Sequence, residues 1–351
     1  MVQWITMGDR AMHQRINWPS VFFTLLAMAI VYGVGTTFFT IELERLVERM
    51  ITPRIMASSE VDMLNREIYS GIDQFMASNH VRTIGYICCA FMVLLAVVGL
   101  ITERKVLASL GSIGFILPIY AYFILHMSFL AGLGILTALW TPFWGNLVKL
   151  GDIAYLPYMI LVYPFSLVGI DIRKFLAGFF ASLGLLIFIL GILAWFYAKS
   201  QQKNTADFWI YRFTRHPQYL GWILWSYGLM LRIAHRHDTV LQDTNPGASL
   251  PWVISTLIIL CVALSEEIYM RSQHSQEYAR YSSQAPFIFP IPGYLTRAVS
   301  APLKVILRKD KAETTRDVLL IFVIYLVVIM LFSLPFVLLE WPPTGWQNWP
   351  F

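Results

Sequence analysis

Eight apolar runs, separated by short polar stretches, dominate this chain: 21–39, 84–101, 113–139, 153–170, 175–197, 219–233, 250–269 and 318–339. The hydrocarbon of a bilayer is about 30 Å thick, and an α-helix crosses it in roughly 20 residues. Most of these runs meet or approach that length. Inside lipid the backbone must satisfy its own hydrogen bonds, so runs of this kind fold as helices. Composition points the same way. Of 351 residues, 57% are apolar and 13% charged, where a soluble domain carries about 25% charged residues. So few charges cannot cover a water-facing surface of this size. The expected fold is all-α, a polytopic transmembrane helical bundle of about eight spans. The third run is long enough to hide a break at Pro118 or at Gly132 and Gly134. The sixth is short, contains Gly228, and is a candidate for a tight hairpin with the seventh.

Lys and Arg are denser in the loops after the first, third, fifth and seventh runs than in the others. The positive-inside rule then puts those loops in the cytoplasm and both termini outside. The net charge of +5 is modest. Its cations sit between apolar runs, which fits lipid headgroups and topology and not nucleic acid. No cleavable leader is expected in residues 1–17. Cys88, Cys89 and Cys261 all lie in apolar runs without metal-ligand spacing and read as small core residues. The 41–80 loop mixes Glu42, Glu44, Arg45, Glu48 and Arg49 at helical spacings, as a solvated surface helix would. The tail 340–351, with Trp341, Trp346 and Trp349 among prolines, reads as an aromatic anchor at headgroup level. Three regions follow: an N-terminal membrane region over 1–174, a catalytic membrane core over 175–290, and over 291–351 a basic linker with an extra span and the tail.

Two polar clusters break the apolar pattern. The first runs from Asp207 to Tyr219. Arg212, Arg215 and His216 stand at i, i+3 and i+4, which one helical turn would bring to one face. Pro217, lacking an N–H, suits the first turn of the next helix. Gly221 would let a backbone or a flat ligand come close. A carboxylate or phosphate could dock at this mouth. The second cluster spans 265–290. Adjacent Glu266 and Glu267 end an apolar run, and two carboxylates at membrane depth are costly without partners. Glu267, Arg271 and His274 share a helix face by spacing, so a local Glu267–Arg271 pair is one reading; it leaves Glu266 unexplained.

Together the strings Arg215-His216-Pro217-x-Tyr219-x-Gly221-Trp222, Glu266-Glu267-Ile268, and Tyr278, Tyr281 and Pro286 resemble the isoprenylcysteine carboxyl methyltransferase family, which groups with the membrane phospholipid methyltransferases. The resemblance covers roughly 175–290. Two motifs in register are more specific than either alone. The resemblance implies a helical membrane bundle that takes S-adenosyl-L-methionine from the cytosol and a lipophilic methyl acceptor from the bilayer. It implies that Arg215 and His216 hold the methionine end of the cofactor. Tyr219 and Gly221 would shape the pocket, Glu266 or Glu267 would face the ribose or ammonium group, and Tyr278 and Tyr281 would close the site. The chain departs from the family at His274-Ser275, where Phe-Gly is usual, and at Gln284, where a basic residue is usual.

Methyl transfer from a sulfonium needs alignment at about 3–3.5 Å and a poorly hydrated site. A carboxylate or thiolate acceptor needs no base; for an amine, His216 or Glu267 could take the proton. No metal is required. Two rival readings remain. A membrane sterol-type reductase shares a similar string but binds a nicotinamide cofactor, with an acidic residue expected where Trp222 stands. A transporter or scaffold would rest on His126, a lone ionisable group in the third run. The candidate integral-membrane enzyme sits in a bacterial inner membrane or an ER-type membrane, its site facing the cytoplasm, with membrane lipids as its surroundings and no oligomeric state specified.

Overall fold

The computed structural model describes residues 78–124, 138–143, 145–202, 206–234, 248–273, 275–309 and 311–339. The first run, nearly all of the 41–80 loop, His126, His274 and the tail 340–351 lie outside the described residues. Among the described residues the elements are all helical. They are α1 (Asn79–Ile101), α2 (Lys105–Ile124), a 3-10 segment (Gly145–Tyr155), α3 (Leu156–Ser166), α4 (Arg173–Ser200), a short 3-10 turn (Trp209–Arg212), α5 (Pro217–Ala234), α6 (Ser249–Gln273), α7 (Ser275–Gln284), α8 (Gly293–Leu307) and α9 (Thr315–Leu338). Four of them, α1, α4, α6 and α9, are long and apolar enough to cross a membrane. Their outward surfaces carry large apolar side chains such as Ile87, Phe91, Phe175, Leu331 and Phe332. Bands of this kind suit lipid, since a soluble surface rarely exposes so much contiguous apolar area. The all-α membrane architecture is as the sequence implies.

The central helices are α5 and α6. Trp225, Leu229, Met230 and Leu231 of α5 are fully buried. Half of the apolar window of α6 is buried, against 17% for the peripheral α9. Lipid tails are as apolar as leucine, so helix association here rests on close packing and interhelical hydrogen bonds, each bond worth about 1 kcal/mol. Ser112 of α2 donates to the Ser255 carbonyl of α6 at 3.0 Å. Trp252 Nε1 of α6 donates to Ser226 Oγ of α5 at 3.0 Å. Cys89 and Cys261 are buried free thiols.

The fold differs from the expectation in three respects. The hairpin partner of α5 is α4, not α6. At Gly221 an added Cβ would meet the Phe188 backbone nitrogen at 2.5 Å, and at Gly228 the Ala177 carbonyl at 2.6 Å. Glycine at these positions brings the two backbones together, so a small-residue seam decides the pairing. The fourth run is not one membrane-length helix. It divides into the 3-10 segment and α3, whose 11 residues carry Pro157 in the first turn and Pro164 inside. Eleven residues rise about 16 Å, half of what a crossing needs.

The third difference follows from the second. Thr315 Oγ1 donates to Glu103 at 3.1 Å, so the end of α1 meets the start of α9. Ile153 N donates to Ser333 Oγ at 3.3 Å at the other end. Because the fourth run does not cross, the start of α1 lies at the opposite end from the 206–216 segment. Alternation of eight full crossings would have put the two together.

Candidate functional site

The string 213–216 leaves helical geometry before α5 begins at Pro217, as its missing N–H favours. Arg215 N donates to Pro286 O at 2.9 Å, which ties this string to the chain after α7. Leu220 N donates to His216 O at 3.0 Å, so His216 caps the first turn of α5. The expected one-face set of Arg212, Arg215 and His216 does not form. Arg212 ends the short 3-10 turn and is exposed, because the three residues after it are not helical.

Glu266 and Glu267 lie near the end of α6, about 100° apart around it. Glu267 is 5% exposed. Its carboxylate accepts from Arg215 Nη1 and from the Tyr278 hydroxyl. His216 Nε2 lies 3.1 Å from its Oε1. Glu266 is more open. It accepts from the Tyr219 hydroxyl at 2.9 Å. Lys105 Nζ stands 3.5 Å away, and His216 Nδ1 stands 3.6 Å away. His216 is therefore wedged between the two acids with one ring nitrogen toward each. A neutral imidazole donates through one nitrogen only, so this setting favours the imidazolium. Burial opposes its charge, but Glu266 and Glu267 together hold its pKa above the ordinary value. Charge alternates along the network from Lys105 to Glu266, His216, Glu267 and Arg215.

Aromatic rings frame these groups. His216 stacks on Tyr219 at 5.6 Å between ring centroids, and meets the Phe287 edge at 5.3 Å. The Arg215 guanidinium sits 5.5 Å from the Phe287 centroid. Burial and the neighbouring Glu267 raise the Tyr278 phenol, which keeps it a donor. Tyr281 stands beside it, ring centroids 6.0 Å apart, and donates to the Tyr211 carbonyl at 2.9 Å.

Six of the residues singled out from sequence, Arg215, His216, Tyr219, Glu266, Glu267 and Tyr278, thus share one network of hydrogen bonds and ion pairs. Tyr281 adjoins it. Gly221 does not: it faces Gly184 and Phe188 of α4, where helix packing occupies the space a ligand would need. The local Glu267–Arg271 pair is also replaced. Arg271 Nε donates to the Glu267 backbone carbonyl at 3.1 Å and Nη2 to Ala312 O at 2.7 Å, leaving the carboxylate for Arg215. Sequence reasoning missed Lys105 and Phe287. Phe287 sits in the Pro286–Pro290 string and could have been flagged there; Lys105 carries no local signal. No protein-family model matches the chain, and no curated protein or solved structure does either.

Proposed function

We propose that the protein is an integral-membrane, S-adenosyl-L-methionine-dependent methyltransferase acting on a lipophilic acceptor, with its site facing the cytoplasm. The observation that carries this reading is the meeting of Arg215 and His216 with Glu266, Glu267 and Tyr278 across three elements. Alternating cations and anions suit a zwitterion, and the amino-acid end of the cofactor is one. Arg215 Nε is buried without an acceptor among the described residues, a donor available to a carboxylate. Glu266, the more open acid, would take the ammonium group. Tyr219 and Tyr278 would hold the two acids in place, and Tyr281 would line the same side. When bound, the cofactor supplies an electrophilic methyl on a sulfonium.

The residues also bear on the acceptor. His216 turns one ring nitrogen to each acid and Glu267 already accepts from three donors, which leaves neither positioned to collect a proton. An acceptor that arrives deprotonated, such as an isoprenylcysteine-like carboxylate, therefore fits better than a primary amine. The cytoplasmic assignment rests on the cations at this end of the bundle: Arg104 and Lys105 at the start of α2, Lys199 ending α4, Arg212 and Arg271. Such clustering marks the inside face.

Equilibrium binding of labelled S-adenosyl-L-methionine to the purified protein tests the reading. Glu266→Gln should weaken binding at least tenfold, the loss of one charge-assisted contact of about 1.5–3 kcal/mol. Undiminished binding in both Glu266→Gln and Glu267→Gln would sink it. Thermal stabilisation by NADPH and not by S-adenosyl-L-methionine would move the chain to the reductases.

A further inference from the structure

We infer that α8 is an in-plane helix whose partner is the anionic phospholipid headgroup layer at the site-bearing end of the bundle. The inference does not depend on the enzymatic reading. Three stripes run along α8. Leu303 and Leu307, four residues apart, pack on the hydrophobic core. Tyr325 of α9 adds a hydrogen bond to Val299 O at 2.5 Å. These contacts hold one side of the helix to the protein. Leu295, Val299 and Ile306, at i, i+4 and i+11, form a second stripe. They are left 41%, 57% and 58% exposed.

The third stripe is basic. Arg297 and Lys304, at i and i+7, lie opposite that apolar stripe, and Arg308 follows at the left-handed C-cap; all three are exposed, and exposed Tyr294 and Val305 lie on the outer side between the stripes. From Gly293 to Lys309 the chain contains no acidic residue. A helix with one apolar and one basic face lies in the membrane interface, the apolar side among acyl chains and the cations among phosphates. Its position agrees. Lys309, just past its end, bonds Asp317 in the first turn of α9 at 3.0 Å, so α8 is joined to a membrane-length helix where that helix starts. The neighbouring α9 also carries exposed apolar side chains, such as Val323 and Val327. Charge complementarity selects anionic over zwitterionic lipid: each Lys or Arg near an anionic surface favours binding by about fivefold.

The test is hydrogen–deuterium exchange of the full chain, one copy per nanodisc, in phosphatidylcholine with and without phosphatidylglycerol. The 293–307 amides should exchange at least about tenfold more slowly in the anionic disc, and 1 M salt should erase the difference. The triple variant Arg297→Gln, Lys304→Gln, Arg308→Gln should exchange equally fast in both discs. A second variant, Val299→Ser with Ile306→Ser, should exchange faster in both. Equal protection of the native helix in the two lipids overturns the inference, and so does a difference that survives the triple variant. Protection that appears only with two copies per disc would assign the face to a second copy of the chain instead.

Discussion

At its C-terminal end α6 presents Glu266 and Glu267 to partners from α2, α5, α7 and the 213–216 string. At its N-terminal end, about 27 Å away, Ser249 meets one carboxyl, Asp152 of the 3-10 segment. Both ends bury acids, and they solve the desolvation problem differently. Asp152 is 5% exposed. Burial pushes its pKa up to about 7, partly opposed by the Ser249 hydroxyl and by Lys149. It escapes the cost of burial by staying protonated. Glu267, equally buried, is given a guanidinium, an imidazole and a phenol instead. Assembling that many buried charges is rarely the most stable solution. The far end therefore reads as structural, and the near end as a place where charge is kept for chemistry.

The most damaging change should be Glu267→Ala. It leaves Arg215, His216 and Tyr278 without their shared acceptor, and breaking a buried pair from one side costs about 3–5 kcal/mol. Thermal unfolding in nanodiscs should show the loss, and a shift no larger than that of a surface variant would mean the network is not formed. Asp152→Asn should act in the opposite sense. The folded-state pKa is above the unfolded one, so Asp152 contributes stability that is present below about pH 4 and lost as pH rises toward 7. With a raised value of about 7, and about 1.4 kcal/mol per pKa unit, the native chain should lose on the order of 2–4 kcal/mol over that window. The Asn variant should not, and its cofactor binding should match the native protein. His216 also has a raised pKa, so its contribution is present below the ordinary imidazole range and lost as pH rises above it. His216→Gln should remove that second fall and leave the one due to Asp152. A single merged transition in the native chain would erase the distinction between the two ends.

Much of the near end was legible because its residues come in two short strings whose types are out of place in lipid. Arg215-His216-Pro217 and Glu266-Glu267 declare themselves by charge, and Tyr278 by its spacing from them. What the strings could not show was direction. Glu267 and Arg271 are well spaced for each other on a helix, yet each turns to a residue outside it. Arg212 is in step with Arg215 only if the intervening chain is helical, and it is not. The close backbone approach at Gly221 was legible, but packing on α4 takes the room. At the far end the fourth run misled because apolarity does not by itself mean crossing: Ile160, Leu167 and Val168 stay exposed on a segment too short to span. A 3-10 segment packed on α6 and α9, followed by a short helix, reads as hydrophobic as a span, and only Pro157 and Pro164 hinted otherwise.

Lys105 gives the finest division between the two ends, because it comes from α2 to meet an acid on α6, whereas Lys149 at the far end is a near neighbour of Asp152 in sequence. Its ammonium lies 3.5 Å from Glu266 and 5.4 Å from the Tyr269 ring centroid. The pair is about one-third exposed on either side. Lys105→Gln should therefore cost about 0.5 kcal/mol of stability at most. Its effect on cofactor binding should carry the opposite sign. If Glu266 receives the ammonium group of S-adenosyl-L-methionine, Lys105 competes for that carboxylate, and removing it should tighten binding about two- to threefold at low salt, fading as salt screens the site. The gain should vanish in a Glu266→Gln background, since the two changes act on one interaction and cannot add. Weaker binding in Lys105→Gln would reverse the assignment, making Lys105 a holder of the cofactor carboxylate and leaving the ammonium to Glu267.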